Sequence, residues 1–307
     1  MPLHQSSGRW RLGLALSLLT VLMWGVLPIA LKITLQVLDV YTVSWFRFAI
    51  AFGLLAIYLA LRRKLPTLQQ LRSTSLGLLA IATIFLAVNY LLFLQGLALT
   101  SANNAEVLIQ LAPVLFGLCA IAIFKERYTL RQWAGMAVLV LGFVLFFNEQ
   151  LRTLITGASN YLIGSSLIII AAAAWAVYAL AQKQLLQQLS SANVMLIIFG
   201  GCALMFSPVA APQKIFTMSP LHLATLLFCG LNTLVAYGAF AEALENWEAS
   251  RVSAVISLAP LCTLVAVEVV SSVMPNLIAP EPLTILGIVG AILVVAGCMA
   301  IALGRRS

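Results

Sequence analysis

Apolar residues run almost unbroken from Leu12 to Leu303, and short polar stretches cut them into segments of about 20 residues. A helix rising 1.5 Å per residue crosses a hydrocarbon layer about 30 Å thick in that length. The pattern predicts ten spanning helices, at 12–32, 39–61, 73–99, 104–124, 131–147, 161–185, 192–209, 219–244, 249–273 and 283–303. The fifth and seventh are the shortest, and the break at Ser101 to Asn104 is the weakest punctuation. The first run is too long for a signal-peptide core and lacks a small-x-small cleavage site, so it is expected to stay as the first helix.

The segments repeat. At an offset of 151, Gly13, Trp24, Val26, Ala30 and Lys32 meet Gly164, Trp175, Val177, Ala181 and Lys183. At 147, Tyr90, Phe93, Leu97, Ala102 and Leu111-Ala112-Pro113 meet Tyr237, Phe240, Leu244, Ala249 and Leu258-Ala259-Pro260. At 155, Glu126, Thr129, Gly135 and Gly142 meet Glu281, Thr284, Gly290 and Gly297. Two units are expected, residues 1–150 and 151–307. Each holds five spans, so the second enters the membrane from the opposite side, which makes an inverted-topology repeat around a central cavity. Such a pair supplies two related conformations, one open to each side, as alternating access requires. A channel would want one continuous pore.

Composition removes the soluble alternatives. Only 8% of the residues are charged, against about 25% in a soluble domain, which leaves too little polar surface for water. The net charge of +8 comes from Lys and Arg in short loops, so it reads as a topology signal and no nucleic-acid partner is expected. With the amino terminus cytoplasmic, the outside collects only Lys32, Arg152 and Lys214, and both termini face the cytoplasm. A bacterial inner membrane is the expected location. The five cysteines fall singly inside apolar runs and form no metal-binding spacing, so neither cofactor nor metal is expected.

The ten spans, Trp24-Gly25 in the first, the apolar-Ala-Pro elements at Pro113 and Pro260, and the two Glu-x-x-Thr motifs followed by glycines seven apart resemble the drug/metabolite transporter superfamily, specifically EamA-type permeases. The resemblance covers essentially the whole chain. It implies a solute site in a central cavity lined by the first, third, fourth, sixth, eighth and ninth helices. It also implies cargo drawn from amino acids and other metabolites, with nucleotide sugars carried by relatives.

Several polar or aromatic residues fall inside the spans. Trp24 stands before Pro28, which removes one backbone hydrogen bond and can expose carbonyls. Trp175 and Tyr178 share a face of the sixth helix. Asn89 and Tyr90 in the third span, Asn232 and Tyr237 in the eighth and Gln110 in the fourth need partners, which neighbouring helices or a solute can supply. Arg47 and Glu106 lie roughly 12 Å and 9 Å into the outer half. Either they neutralise each other, or Arg47 attracts a solute carboxylate and Glu106 takes up protons. The glycine faces, Gly135 with Gly142 and Gly287, Gly290, Gly297 with Gly304, suit close packing between the two halves or between subunits of a homodimer.

An intramembrane enzyme would need a buried nucleophile and base, yet His4 and His222 lie at or beyond span ends and no HExxH or GxSxG occurs. The expected function is secondary transport of a small solute, most simply export of an amino acid or related metabolite. A nucleotide-sugar or organic-anion exchanger is the alternative within the superfamily, and a channel or non-transporting scaffold the alternative outside it.

Overall fold

The computed structural model describes residues 9–67, 70, 74–112, 115, 119, 129–155, 159–186, 188–247, 252, 255–278 and 284–303. The α-helices with assigned bounds are α1 (Trp10–Thr34), α2 (Val40–Leu61), α3 (Leu76–Leu99), α4 (Ala102–Ile109), α5 (Leu130–Ile155), α6 (Ser159–Leu185), α7 (Ser191–Phe206), α8 (Pro220–Asn246), α9 (Ala259–Val273) and α10 (Ile285–Leu303), with a 3-10 helix at Pro212–Thr217. Each α-helix falls on a predicted span. Parts of the fourth and ninth spans lie outside the described residues, as do Pro113, Glu126, Ser253, Glu281 and Gly304. α5 runs eight residues beyond its predicted end at 147. The polar Asn148-Glu149-Gln150 stops the hydropathy signal, whereas the backbone ladder of a helix continues through polar residues. Among the described residues, five helical segments are long and apolar enough to cross a membrane: α1, α2, α3, Asn160–Gln182 and Pro220–Phe240.

Helix starts are written in the sequence. Asp39, Ser75, Ser101, Ser190 and Ser219 each accept a hydrogen bond from the amide three residues on, which satisfies one donor that the first turn leaves unpaired. Inside the helices, the hydroxyls of Ser17, Thr34 and Thr233 donate to the carbonyl four residues back. A polar side chain is thereby satisfied where no water reaches.

The packing crosses the sequence. α1 packs on α8 and α9, while α6 packs on α3 and α4; α2 pairs with α7, α4 with α9, and α5 with α10. Glycines permit the closest approaches. A Cβ on Gly297 would lie 2.6 Å from the Leu139 backbone nitrogen, and one on Gly142 would lie 2.8 Å from the Gly290 carbonyl oxygen. The glycine faces of α5 and α10 therefore meet each other within one chain. Gly96 of α3 and Gly164 of α6 form a second such crossing.

One end of the bundle is fastened through its loops. Asp39 caps α2 through Thr42 and pairs with Lys214 of the 3-10 helix at 3.1 Å, the Thr42 hydroxyl accepts from the Ala211 amide at 2.9 Å, and Gln36 donates to the Leu277 carbonyl at 2.8 Å. Partial burial pushes the Asp39 carboxyl up, but the Thr42 amide, the Lys214 ammonium and the Thr42 hydroxyl outweigh it and hold the group below its ordinary value of 3.8. A depressed folded-state value means that its contribution is present above about pH 4 and is lost as the pH falls through the lower folded value. Asp39→Ala, which removes the cap, is expected to cost about 1 kcal/mol in a thermal melt near neutrality. Asp39→Asn keeps a capping oxygen, so its smaller deficit should vanish as the pH is lowered through the depressed folded-state value.

Candidate functional site

Pro28 cannot donate to the carbonyl of Trp24, and the carbonyls on either side of that gap are taken up by side chains from other helices. Asn232 of α8 donates to the Met23 carbonyl at 2.6 Å, and Thr263 of α9 donates to the Gly25 carbonyl at 2.7 Å. Gly25 admits this contact, since a Cβ there would stand 2.7 Å from the Cys262 sulfur. A related device holds the other crossing, where Asn89 of α3 donates to the Ala171 carbonyl of α6 at 2.8 Å. The amide oxygen of Asn232 is buried and finds no partner among the described residues.

Arg47 anchors an aromatic cluster. Its Nε donates to the Thr233 hydroxyl at 3.1 Å, and its guanidinium carbon lies 4.5 Å from the centre of the Tyr90 ring. Thr233 passes its own proton to the Cys229 carbonyl, leaving its oxygen free to accept from Arg47. The ring quadrupole of Tyr90 stabilises a cation that the hydrocarbon would otherwise penalise. Phe48 packs on Tyr90 in a tilted arrangement with ring centres 4.4 Å apart, and Tyr237 lies close to Tyr90, Tyr178 and Arg47. Tyr237 in turn meets Phe199 at 6.3 Å and the edge of Trp24 at 5.5 Å. Trp175 touches Tyr178 at 6.2 Å, and the Tyr178 hydroxyl donates to the Met195 sulfur at 3.5 Å.

Six of the ten sequence-predicted residues thus form one connected set: Trp24, Arg47, Tyr90, Trp175, Tyr178 and Tyr237. Asn89 and Asn232 border it as helix-to-helix ties. The remaining two stand apart. Gln110 lies beyond the end of α4, where its side-chain oxygen is 4.0 Å from the Cys298 sulfur. Glu106 is buried in α4 beside Cys262, and among the described residues Arg47 and Glu106 form no ion pair. Among the described residues, Arg47 is compensated by a hydroxyl and a ring, not by a carboxylate.

The members that sequence reasoning missed are Thr233, Phe48, Phe199, Met195 and Thr263. Thr233 follows the conspicuous Asn232, but no periodicity announces that it faces α2. A groove of about 690 Å³ opens between α1 and α9, lined by apolar residues including Leu22, Val26, Val265 and Val269, which are also surface-exposed. It faces outward, and none of the ten predicted residues lines it.

The chain is similar to known proteins over nearly its whole length. Residues 11–148 and 162–303 each match the EamA-like transporter family. The chain is 40% identical over 296 residues to the uncharacterized inner membrane transporter YhbE of Escherichia coli (strain K12), covering 96% of this chain and 92% of that protein. An uncharacterized transporter of Haemophilus influenzae is 36% identical over 295 residues, 96% of each chain. A protein of Salmonella typhimurium named a probable amino-acid metabolite efflux pump is 24% identical over 305 residues, 95% of each chain. A crystal structure only 17% identical superposes with a TM-score of 0.64 over 96% of this chain and 99% of the other, a likeness of fold. Two family matches that together span nearly the whole length, on an all-helical bundle, make this chain a member of the EamA-like transporter family.

Proposed function

We propose that the chain is a secondary transporter that exports a small metabolite, an amino acid or a related compound, across a bacterial inner membrane by alternating access between two inverted five-helix units, residues 1–150 and 151–307. The observation that carries this reading is the cross-pairing of the helices. α1 on α8 and α9 is answered by α6 on α3 and α4, and α2–α7, α4–α9 and α5–α10 each join one element to its own counterpart. Exchanging the units maps each of these contacts onto another or onto itself, as two copies of one unit related by a two-fold axis require. The separate family matches at 11–148 and 162–303 support the division.

In this reading the aromatic set around Arg47 lines the solute path and is packed shut between the two open states. A buried guanidinium compensated without a carboxylate suits a solute that brings one, and the name of the Salmonella relative supports the same cargo and direction. The Lys and Arg bias supports cytoplasmic termini. The test is counterflow in proteoliposomes with a labelled amino-acid mixture. Trp24→Ala, Tyr90→Ala, Trp175→Ala and Tyr237→Ala should each insert normally and lower the exchange rate by about tenfold or more. Wild-type exchange from all four variants would remove the site, and flux that never saturates and shows no counterflow would reject a carrier.

A further inference from the structure

Glu106 is a buried acid that the aromatic set does not use. Its side chain is 7% exposed in α4, and among the described residues it forms no ion pair. Several titratable groups on the helices packed on α4 are engaged elsewhere. Lys32 of α1 donates to the Thr100 carbonyl, Tyr90 of α3 lies beneath Arg47, Tyr178 of α6 donates to Met195, and Glu268 of α9 is exposed. Cys262 of α9 is the titratable neighbour in electrostatic contact with it. A carboxylate in that setting would stand uncompensated, whereas a carboxylic acid would not.

The seam beside Glu106 lies between α1 and α9. Cys262 packs against Gly25, and the Thr263 hydroxyl ties α9 to the Gly25 carbonyl three residues before Pro28. Among the described residues, this hydrogen bond and this glycine contact join the two helices where α1 already lacks a backbone bond.

We propose that Glu106 is the proton-coupling site of the transporter: the carboxylic acid lets the α1–α9 seam close over it, and the carboxylate requires water and holds the seam open. The inference rests on the carrier reading above. In each cycle the solute-free protein closes over the protonated acid and carries one proton across the membrane, and after its release the amino-acid ammonium, in place of water, compensates the carboxylate and lets the seam close for the return, so a proton gradient drives solute in the opposite direction with no other co-reactant. The solute-free occluded arrangement is then reached with the acid protonated, which ties proton binding to the conformational step.

Two measurements test it. In phospholipid nanodiscs, dicyclohexylcarbodiimide reads a protonated carboxyl in an apolar setting whatever the cargo. The acid O–H adds across the carbodiimide N=C bond, and the adduct rearranges to a stable N-acylurea with nothing lost. Peptide mapping should find the adduct on Glu106, increasing as the pH is lowered from about 9 to about 5, and find none at that position in Glu106→Gln. No adduct at any pH, or the same yield at every pH, would overturn the proposal. In proteoliposomes with a pH dye inside, net amino-acid flux down an imposed amino-acid gradient by the wild type should move protons the opposite way, and Glu106→Gln should lose that signal. Wild-type proton movement in Glu106→Gln would overturn it as well. Should the wild type move none of the amino acids, the cargo reading fails by itself, and the carbodiimide result still decides for or against Glu106.

Discussion

Gly297→Leu is expected to abolish the folded protein, seen as loss of the monodisperse peak in size-exclusion chromatography and of the thermal transition. The Cβ alone would stand 2.6 Å from both the nitrogen and the Cβ of Leu139 and 2.7 Å from its Cα, and backbone atoms of a helix cannot turn aside as a side-chain tip can. α5 and α10 would have to separate along their length, forfeiting the contacts on both sides of Leu139, which is itself 1% exposed. In lipid no hydrophobic force holds two helices together, so their association depends on this close packing. Overpacking of a well-fitted core costs about 1–3 kcal/mol for extra methylenes, and a Leu on a glycine seam lies at or beyond the top of that range. Gly297→Ala should fall between, because its better helix propensity returns up to about 1 kcal/mol. Gly53→Ala is the control: nothing lies within 4 Å of its Cβ, so propensity alone acts and stability should rise slightly. A Gly297→Leu protein that melts with the wild type would show that the two helices do not meet as described.

Arg47→Met is expected to lower amino-acid counterflow by about tenfold to a hundredfold while leaving the melt within about 1 kcal/mol of the wild type. The two readouts separate because the charge has different work in each. For the fold, Arg47 contributes one hydrogen bond to Thr233 and a ring contact with Tyr90, against the cost of keeping a cation in the interior. A flexible apolar chain of similar length fills the same space at little loss. For the solute, the loss is a charge-assisted hydrogen bond to a carboxylate, worth about 1.5–3 kcal/mol. Arg47→Lys should be intermediate, since an ammonium keeps the charge without the planar fork. Wild-type counterflow in Arg47→Met would assign Arg47 to structure and leave the cargo's carboxylate without a partner.

Much of the fold is legible from the chain because lipid punishes ambiguity. The boundary of α1, predicted at 12–32 and observed at Trp10–Thr34, follows from a backbone that must satisfy itself wherever water is absent. The same constraint made the polar residues conspicuous, so Arg47, Tyr90, Tyr178 and Tyr237 stood out before any contact was known. What could not be read is which of them meet. The span pattern places Arg47 and Glu106 at similar depth, yet depth is one coordinate of three. Arg47 turns to Thr233 of α8, 186 residues away, and Glu106 lies beside Cys262 of α9. The extension of α5 past 147 was hidden for the opposite reason, because hydropathy marks where lipid ends and says nothing of where a helix does.

The ties on α1 also set an order of assembly. Asn232, which holds the Met23 carbonyl, lies 209 residues further along the chain, and Thr263, which holds Gly25, lies 238 residues away. At about 5–20 residues synthesised per second, α1 enters the bilayer some ten to fifty seconds before these partners exist. During that interval α1 stands among lipids with the Trp24 carbonyl lacking its backbone donor. α1 leaves the ribosome before the other described helices yet is among the last to complete its contacts, and the nascent chain depends on whatever shelters it until α8 and α9 arrive.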